Sequence, residues 1–175
     1  MRVRTVTEQD AEAFVRLLNR IDGESVFMLY EPGERSVTPE QQRERIAALG
    51  ERSTILVAEL DDRLAGYLLA YGGFANRNKH CAYLVVGVLQ AYTGKGVGTR
   101  LFEELERWAV DRRMTGLELS VMRHNERAIA LYRKMGFELE GVKRRSLFVN
   151  GEWVDEYCMA KLLEGGMFPK IQGSR

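Results

Sequence analysis

Residues 89–100 read Leu-Gln-Ala-Tyr-Thr-Gly-Lys-Gly-Val-Gly-Thr-Arg, with glycines at three alternate positions. A nearly continuous apolar run, His80–Leu89, precedes the glycines, and an apolar stripe with helical spacing starts at Val97. This pattern predicts a central strand buried on both faces, a tight turn and an amphipathic helix. Alternate glycines let successive backbone N–H groups converge at a helix N-terminus, where the helix dipole favours phosphate. The stretch therefore predicts a phosphate-binding turn.

Two common phosphate motifs do not fit this turn. The P-loop needs four residues between its first glycine and a Gly-Lys-Ser/Thr string, and the chain has no such string. The dinucleotide fingerprint needs Gly or Ala three residues after its second glycine, and those positions hold Thr99 and Leu101. A purely structural tight turn is the remaining alternative, and the strand-to-helix context favours a phosphate site over it.

The flanking sequence predicts an α/β protein with a mixed, mostly antiparallel central sheet and flanking helices. Helices are expected after a capping box at Thr7, from Thr38 to Gly50, from Val97, and near Asn125. The predicted strands are Val3–Val6, Thr54–Leu60, Leu64–Tyr71, His80–Leu89, Leu117–Met122, Phe137–Phe148 and Trp153–Leu162. One domain is predicted over residues 1–163, followed by a C-terminal tail at 164–175.

Composition narrows the class of protein. The chain has 175 residues and a formal net charge of +1, which favours neither a nucleic-acid partner nor a membrane surface. No apolar run approaches the ~20 residues of a membrane span, and the start lacks the apolar core of a signal peptide. Cys81 and Cys158 have no metal-ligand spacing, which predicts buried free thiols, no metal site and a reducing, cytoplasmic location.

A second segment identifies a family. Residues 125–137 read Asn-Glu-Arg-Ala-Ile-Ala-Leu-Tyr-Arg-Lys-Met-Gly-Phe. They resemble the Asn-x-x-Ala-x-x-Leu-Tyr-x-x-x-Gly-Phe segment of the GCN5-related N-acetyltransferase (GNAT) family. Thr93–Gly98 resembles the family's Gln/Arg-x-x-Gly-x-Gly/Ala motif, with Thr93 in the place of Gln or Arg. The resemblance spans residues 1–163 and implies the acyl-CoA N-acyltransferase fold, with acetyl-CoA as co-substrate.

The resemblance also implies roles for particular residues. Backbone groups of Val86, Gly87 and Val88 would bind the pantetheine arm, and Asn125 would hydrogen-bond the same arm. The pyrophosphate would lie on the amides of Gly94, Lys95, Gly96, Val97, Gly98 and Thr99. Tyr132 would place its hydroxyl near the thioester sulfur and protonate the departing thiolate. The alternative for Tyr132, from the helical pattern alone, is a core aromatic side chain.

The general base is left open. Family members transfer the acetyl group by direct attack in a ternary complex, so neither cysteine is assigned as a nucleophile. Tyr83 stands where many relatives carry a glutamate. A water chain is one alternative, and structural or surface roles are favoured for His80 and His124. The remaining candidates are five carboxylates, Glu24, Glu31, Glu152, Asp155 and Glu156.

The acceptor is predicted to be a primary amine of a small molecule. The loop Asp22–Val37 carries Phe27 and Tyr30 beside several acids, which favours a small cationic acceptor. The alternatives are a protein N-terminus or lysine, and a sensor that binds acyl-CoA without catalysis. A homodimer is predicted through the last two strands.

Overall fold

The computed structural model describes residues 1–163, so the predicted tail at 164–175 lies outside the described residues. Within these residues seven strands form one sheet in the order β1-β2-β3-β4-β5-β7-β6. The strands are β1 Arg2–Thr5, β2 Thr54–Leu60, β3 Arg63–Gly72, β4 Cys81–Val88, β5 Gly116–Met122, β6 Glu138–Val149 and β7 Glu152–Leu162. Only β4 and β5 are parallel neighbours, so the predicted mixed, mostly antiparallel sheet is confirmed.

In the described part of the chain four α-helices flank the sheet: α1 Ala11–Glu24, α2 Pro39–Ala47, α3 Val97–Asp111 and α4 Glu126–Lys134. Every predicted helix and strand is present, with ends displaced by a few residues. The helix α1 continues to Glu24 where a loop from Asp22 was predicted, and the connection to α2 spans 25–38. Helical hydrogen bonding continues to the amide of Ser25, which donates to the carbonyl of Ile21 at 3.0 Å, and the extension buries Asp22. None of the helices within residues 1–163 is long and apolar enough to span a bilayer.

Two apolar cores lie on opposite faces of the sheet. On one face α3 buries Leu101, Phe102 and Leu105, which follow helical spacing, and each contributes about 1.5–3 kcal/mol by burial. On the other face α1 packs Phe14 edge-on against Tyr67 of β3, with 5.6 Å between ring centroids. The sheet therefore has an α1 face and an α3 face.

The strands β4 and β5 separate within the sheet. Their pairing covers three positions, from Cys81 opposite Gly116 to Tyr83 opposite Glu118, and ends there although both strands continue. On its other side β4 stays paired with β3 as far as Val88. The backbone edge of β4 from 84 to 88 is therefore left without a partner strand within residues 1–163.

This separation corrects one expectation from the sequence. The prediction that the strand before the glycines is buried on both faces is wrong, because Tyr83 is 41% exposed and Val85, Val86 and Val88 are only half-buried. An apolar run identifies a strand that is shielded from bulk water, and it does not distinguish a packed core from the wall of a cleft.

Local sequence signals also predict the start of α2 and the turn between β6 and β7. Thr38 caps α2: its hydroxyl accepts from the amide of Gln41 at 3.2 Å, and its own amide donates to the Gln41 side chain at 3.1 Å. The Asn150-Gly151 turn between β6 and β7 has positive φ at both residues, 51° and 84°. Both features were predicted from sequence, and both are confirmed.

Candidate active site

A cleft of about 970 Å³ opens where β4 and β5 separate. Its walls are residues 83–88 of β4, residues 119–122 of β5, the glycine-rich turn and one side of α4. Residues 25–29, which follow α1, also line it. The cleft therefore joins the predicted phosphate site to the predicted acceptor loop.

The turn geometry requires glycine at two positions. Gly94 and Gly96 have φ values of 76° and 81°, in the left-handed region that side-chain-bearing residues rarely occupy. In the first backbone hydrogen bond of α3, the amide of Arg100 donates to the carbonyl of Gly96 at 3.0 Å. The amides of Val97, Gly98 and Thr99 precede that bond and have no acceptor inside the helix. Such amides beside the positive end of the helix dipole fit a pyrophosphate.

The structure brings most of the predicted donor-binding residues into the cleft. The predicted donor-binding residues that line the cleft are Val86, Gly87, Val88, Gly94, Gly96, Val97, Gly98, Thr99 and Asn125, and the predicted catalytic residue Tyr132 lines it as well. Lys95 does not line the cleft. Its amide donates to the carbonyl of Tyr92 at 3.4 Å, and its ammonium lies 5.5 Å from the centroid of the Tyr92 ring. The turn therefore presents the amides that follow Lys95.

Arg127 is a residue that sequence reasoning missed. It lies in the first turn of α4, lines the cleft, and brings Nη2 to within 2.8 Å of the position that a Cβ on Gly94 would take. Its guanidinium thus lies over the glycine-rich turn, and arginine is well suited to bind phosphate through paired N–H groups. This contact could not be predicted from the sequence, because Arg127 occupies a position that the family motif leaves variable.

Asn125 caps α4. Its side-chain oxygen accepts a hydrogen bond from the amide of Ala128 at 3.2 Å, and this fixes the side chain at the cleft wall. The oxygen is engaged in the cap, so the amide NH₂ is the group left to donate to a ligand.

Tyr132 joins the core to the cleft. It is 7% exposed, and its ring packs edge-on against Phe102, with centroids 5.7 Å apart. It also lines the cleft, so core packing and contact with a ligand do not exclude each other. Burial, and to a smaller degree the neighbouring Tyr83, raises the pKa of Tyr132 above its usual range. The phenol therefore keeps its proton at neutral pH, as a proton donor requires.

Of the five candidate carboxylates, only Glu24 and Glu156 line the cleft. Glu24 accepts hydrogen bonds from the amide of Gln90 at 2.9 Å and from Arg20 at 2.7 Å. The bond from Gln90, followed by the contact with Arg20, lowers the pKa of Glu24 and makes it a weaker base. Tyr83 also lines the cleft, at the position where many relatives carry glutamate.

The loop 25–38 contributes only part of what was predicted. Phe27 lines the cleft, and its ring centroid lies 5.3 Å from that of His124. Tyr30 does not line the cleft: its ring lies 4.3 Å from the guanidinium carbon of Arg35, which forms an ion pair with Asp22. Tyr30 therefore helps to hold the loop in place. Within residues 1–163, no three His, Cys, Asp or Glu side chains lie close enough together to hold a metal ion.

The model of the acetyltransferase (GNAT) family matches residues 18–137. The match covers more than half of the chain and contains both motifs and most of the cleft wall. The chain therefore belongs to the GNAT family, and it is an N-acetyltransferase.

Individual relatives are consistent with this family. The L-amino acid N-acetyltransferase AaaT of Escherichia coli (strain K12) is 35% identical over 112 residues, 61% of this chain and 67% of AaaT. The N-alpha-acetyltransferase RimI of Mycobacterium tuberculosis is 38% identical over 103 residues, 57% of this chain and 62% of RimI. The chain thus matches about two thirds of the length of these relatives.

Solved structures share the fold over nearly the whole chain. A GNAT-family acetyltransferase from Streptococcus pneumoniae has a TM-score of 0.89 and 28% identity, and the match covers 93% of this chain and 98% of that one. The yncA protein of Salmonella typhimurium, solved with its cofactor acetyl-CoA, has a TM-score of 0.82 at 19% identity, with 97% and 98% covered.

Proposed function

We propose that this protein transfers the acetyl group of acetyl-CoA to a primary amine of a small molecule, by direct attack in a ternary complex. The observation that carries the proposal is the single cleft that runs from the glycine-rich turn to the residues after α1, with Tyr132 in its wall. In one continuous cleft the two substrates can meet without an acyl-enzyme intermediate.

The donor half of the cleft fits acetyl-CoA. The amides of Val97, Gly98 and Thr99, with Arg127 above the turn, would hold the pyrophosphate. The unpaired edge of β4 would offer backbone groups to the pantetheine amides, as a neighbouring strand does. The NH₂ of Asn125 would donate to the same arm.

Tyr132 supplies the proton that the leaving sulfur needs. The amine nitrogen forms a bond to the thioester carbon, the C–S bond breaks, and the thiolate takes a proton. A neutral phenol in the cleft wall suits that step because burial keeps it protonated. An amide at the free edge of β4, near Val88, would stabilise the negative charge on the carbonyl oxygen.

The acceptor half favours a small molecule. Val26, Phe27, Met28 and Leu29 line that part of the cleft with apolar side chains, which suits a small molecule with an apolar portion. The relative AaaT is named for its action on L-amino acids, which are small primary amines.

A protein N-terminus is the second candidate acceptor. The relative RimI is an N-alpha-acetyltransferase. Leu29 and Val26 at the rim of the cleft are 72% and 60% exposed, and apolar side chains in such a position could contact a peptide.

The test is release of free thiol from acetyl-CoA over a panel of amino acids, polyamines, aminoglycosides and peptides. The proposed function predicts that at least one small amine gives a higher kcat/KM than any peptide. Thiol release with peptides only would assign the protein acceptor instead. We also propose a cytoplasmic location, from the free thiols of Cys81 and Cys158, and fractionation of expressing cells would test it.

A further inference from the structure

Glu156 lies on the sheet face that the acceptor must approach. In the pairing of β5 with β7, Glu156 lies opposite Met122. Because side chains alternate along a strand, Glu156 is on the same side of the sheet as Ser120 of β5, and also as Tyr83 of β4, which lies across the gap between β4 and β5. This is the α1 face, where residues 25–29 also line the cleft. Ser120, Met122, Tyr83 and Glu156 all line the cleft.

The carboxylate of Glu156 has no hydrogen-bond or ion-pair partner within residues 1–163. Other carboxylates in or near the cleft are engaged: Glu24 by the Gln90 amide, Asp22 by Arg35, and Asp155 by Arg123 at 3.3 Å. Glu156 is nevertheless half-buried. A half-buried carboxylate that faces a cleft without a partner is ready to receive a cation from a ligand.

The neighbouring lysine does not neutralise it. Lys143 of β6 is the cross-strand neighbour of Glu156, but its ammonium donates to the hydroxyl of Ser120 at 2.9 Å and forms no ion pair with Glu156. Cross-strand neighbours of opposite charge usually pair. Here the negative charge is left facing the cleft.

We propose that Glu156 is the catalytic residue that binds the ammonium group of the acceptor and accepts its proton. This rests on the proposed function, because it requires an amine acceptor. It assigns the base that the sequence left open, on β7 and not on β4, where Tyr83 replaces the glutamate of many relatives.

The acceptor enters as an ammonium ion and leaves as an amide, so its nitrogen loses two protons. The first passes to the Glu156 carboxylate before attack and is later released to solvent. The second leaves the nitrogen after the N–C bond forms, and it replaces the proton that Tyr132 gives to the departing sulfur. One acetyl-CoA and one ammonium ion thus give one amide, one free thiol and one proton.

The test compares Glu156→Gln with the matched control Glu152→Gln. Glu152 lies on the same strand and the same side of β7, is exposed, and does not line the cleft. With the best acceptor of the panel at neutral pH, Glu156→Gln should lower kcat/KM by about 10²-fold or more, and Glu152→Gln should leave it within about twofold. Calorimetry should give the same acetyl-CoA affinity for both variants and the unaltered protein.

A second acceptor shows whether the loss of rate in Glu156→Gln comes from lost proton transfer or from a damaged structure. With an amine that is already neutral at the assay pH, Glu156→Gln should lose less than about tenfold, because no proton must be removed before attack. Glu156→Asp should restore part of the rate with the charged acceptor. Equal losses with both acceptors, or no loss with either, would overturn the assignment to Glu156. If the unaltered enzyme released no thiol with any amine of the panel, that result would instead overturn the proposed function.

Discussion

Asp22 and Arg35 form an ion pair across the base of the loop that bounds the acceptor end of the cleft, with 2.6 Å between Oδ2 and Nε. A second bond of 3.2 Å makes the contact bidentate, and the Asp22 side chain is only 1% exposed. The pair joins the end of α1 to the loop 25–38, and Arg35 also covers the ring of Tyr30. The position of Phe27 and its neighbours therefore depends on a buried charge.

Arg35→Met should destabilise the protein by about 3–5 kcal/mol, because it leaves the buried Asp22 carboxylate without a counter-ion. Urea denaturation measures this change. The control is Arg16→Met, which breaks the exposed ion pair with Glu12 and should cost less than about 1 kcal/mol. Equal effects of the two substitutions would show that the Asp22–Arg35 pair does not hold the loop.

Gly96→Asp should abolish binding of acetyl-CoA. The aspartate would carry negative charge to the amides that we propose as the pyrophosphate site. Gly96→Asn is the control: it adds a side chain of the same size as aspartate but without its charge. Asparagine also tolerates positive φ better than most residues, so the turn should keep its conformation. We expect the asparagine variant to bind more weakly than the unaltered protein and the folded aspartate variant not to bind in calorimetry. Unchanged affinity in the aspartate variant would place the pyrophosphate elsewhere.

Tyr132→Phe should keep the fold and the acetyl-CoA affinity but lower turnover by about 10²–10⁴-fold. The ring contacts with Phe102 and Phe137 survive the substitution, and only the hydroxyl is lost. Pre-steady-state kinetics should be used, so that slow product release does not hide the chemical step. Near-normal turnover would assign the proton to water.

The pH dependence of the same step follows from the raised pKa of Tyr132. A proton donor with a raised pKa stays competent as the pH rises through 8 and 9. Activity should therefore show no loss from Tyr132 ionisation below about pH 10, the usual tyrosine pKa. An alkaline loss that starts near pH 8 and disappears in Tyr132→Phe would contradict this.

Asp10 should make stability depend on acid pH. Arg4 binds its two oxygens at 2.7 and 2.8 Å, and this contact lowers the pKa of Asp10 below its usual range. The unfolded chain therefore binds the proton more readily, so this contribution is complete well above pH 4 and is lost as the pH falls below it. Asp10→Asn should lose about 1–3 kcal/mol at pH 7 and flatten the acid limb of unfolding curves. An acid limb of unchanged slope would exclude Asp10 as its source.

We propose a homodimer formed through β6 and β7. The outer edge of β6 ends the sheet, and the tip of the hairpin exposes Phe148 and Trp153 at 59% and 60%. These rings pack on each other with centroids 4.9 Å apart, and a partner could cover both. Sedimentation should give twice the mass of 20.0 kDa at micromolar concentration, and Trp153→Ser should shift the species towards the monomer. A monomer at all concentrations would exclude the dimer.

The sequence predicted the elements and the glycine-rich turn because their signals are local. The helical stripe of α3, the capping box at Thr38 and the glycines at 94 and 96 each fix backbone conformation within a few residues. Contacts between distant segments could not be predicted in this way. The contact of Arg127 with the turn, the engagement of Glu24 by Gln90 and the open position of Glu156 all depend on elements more than 30 residues apart in the chain.

The early end of pairing between β4 and β5 also affects aggregation. An unpaired strand edge normally invites a strand from another molecule, and proteins protect such edges at the outside of a sheet with charges or bulges. Here the free edge lies inside the sheet, and the gap narrows to a closed apex at Tyr83 and Glu118. A β-strand of another polypeptide that paired along β4 towards the apex would collide with β5. The narrower pantetheine arm of a ligand would not. The protein can therefore keep backbone groups open for a ligand without offering other polypeptides a template.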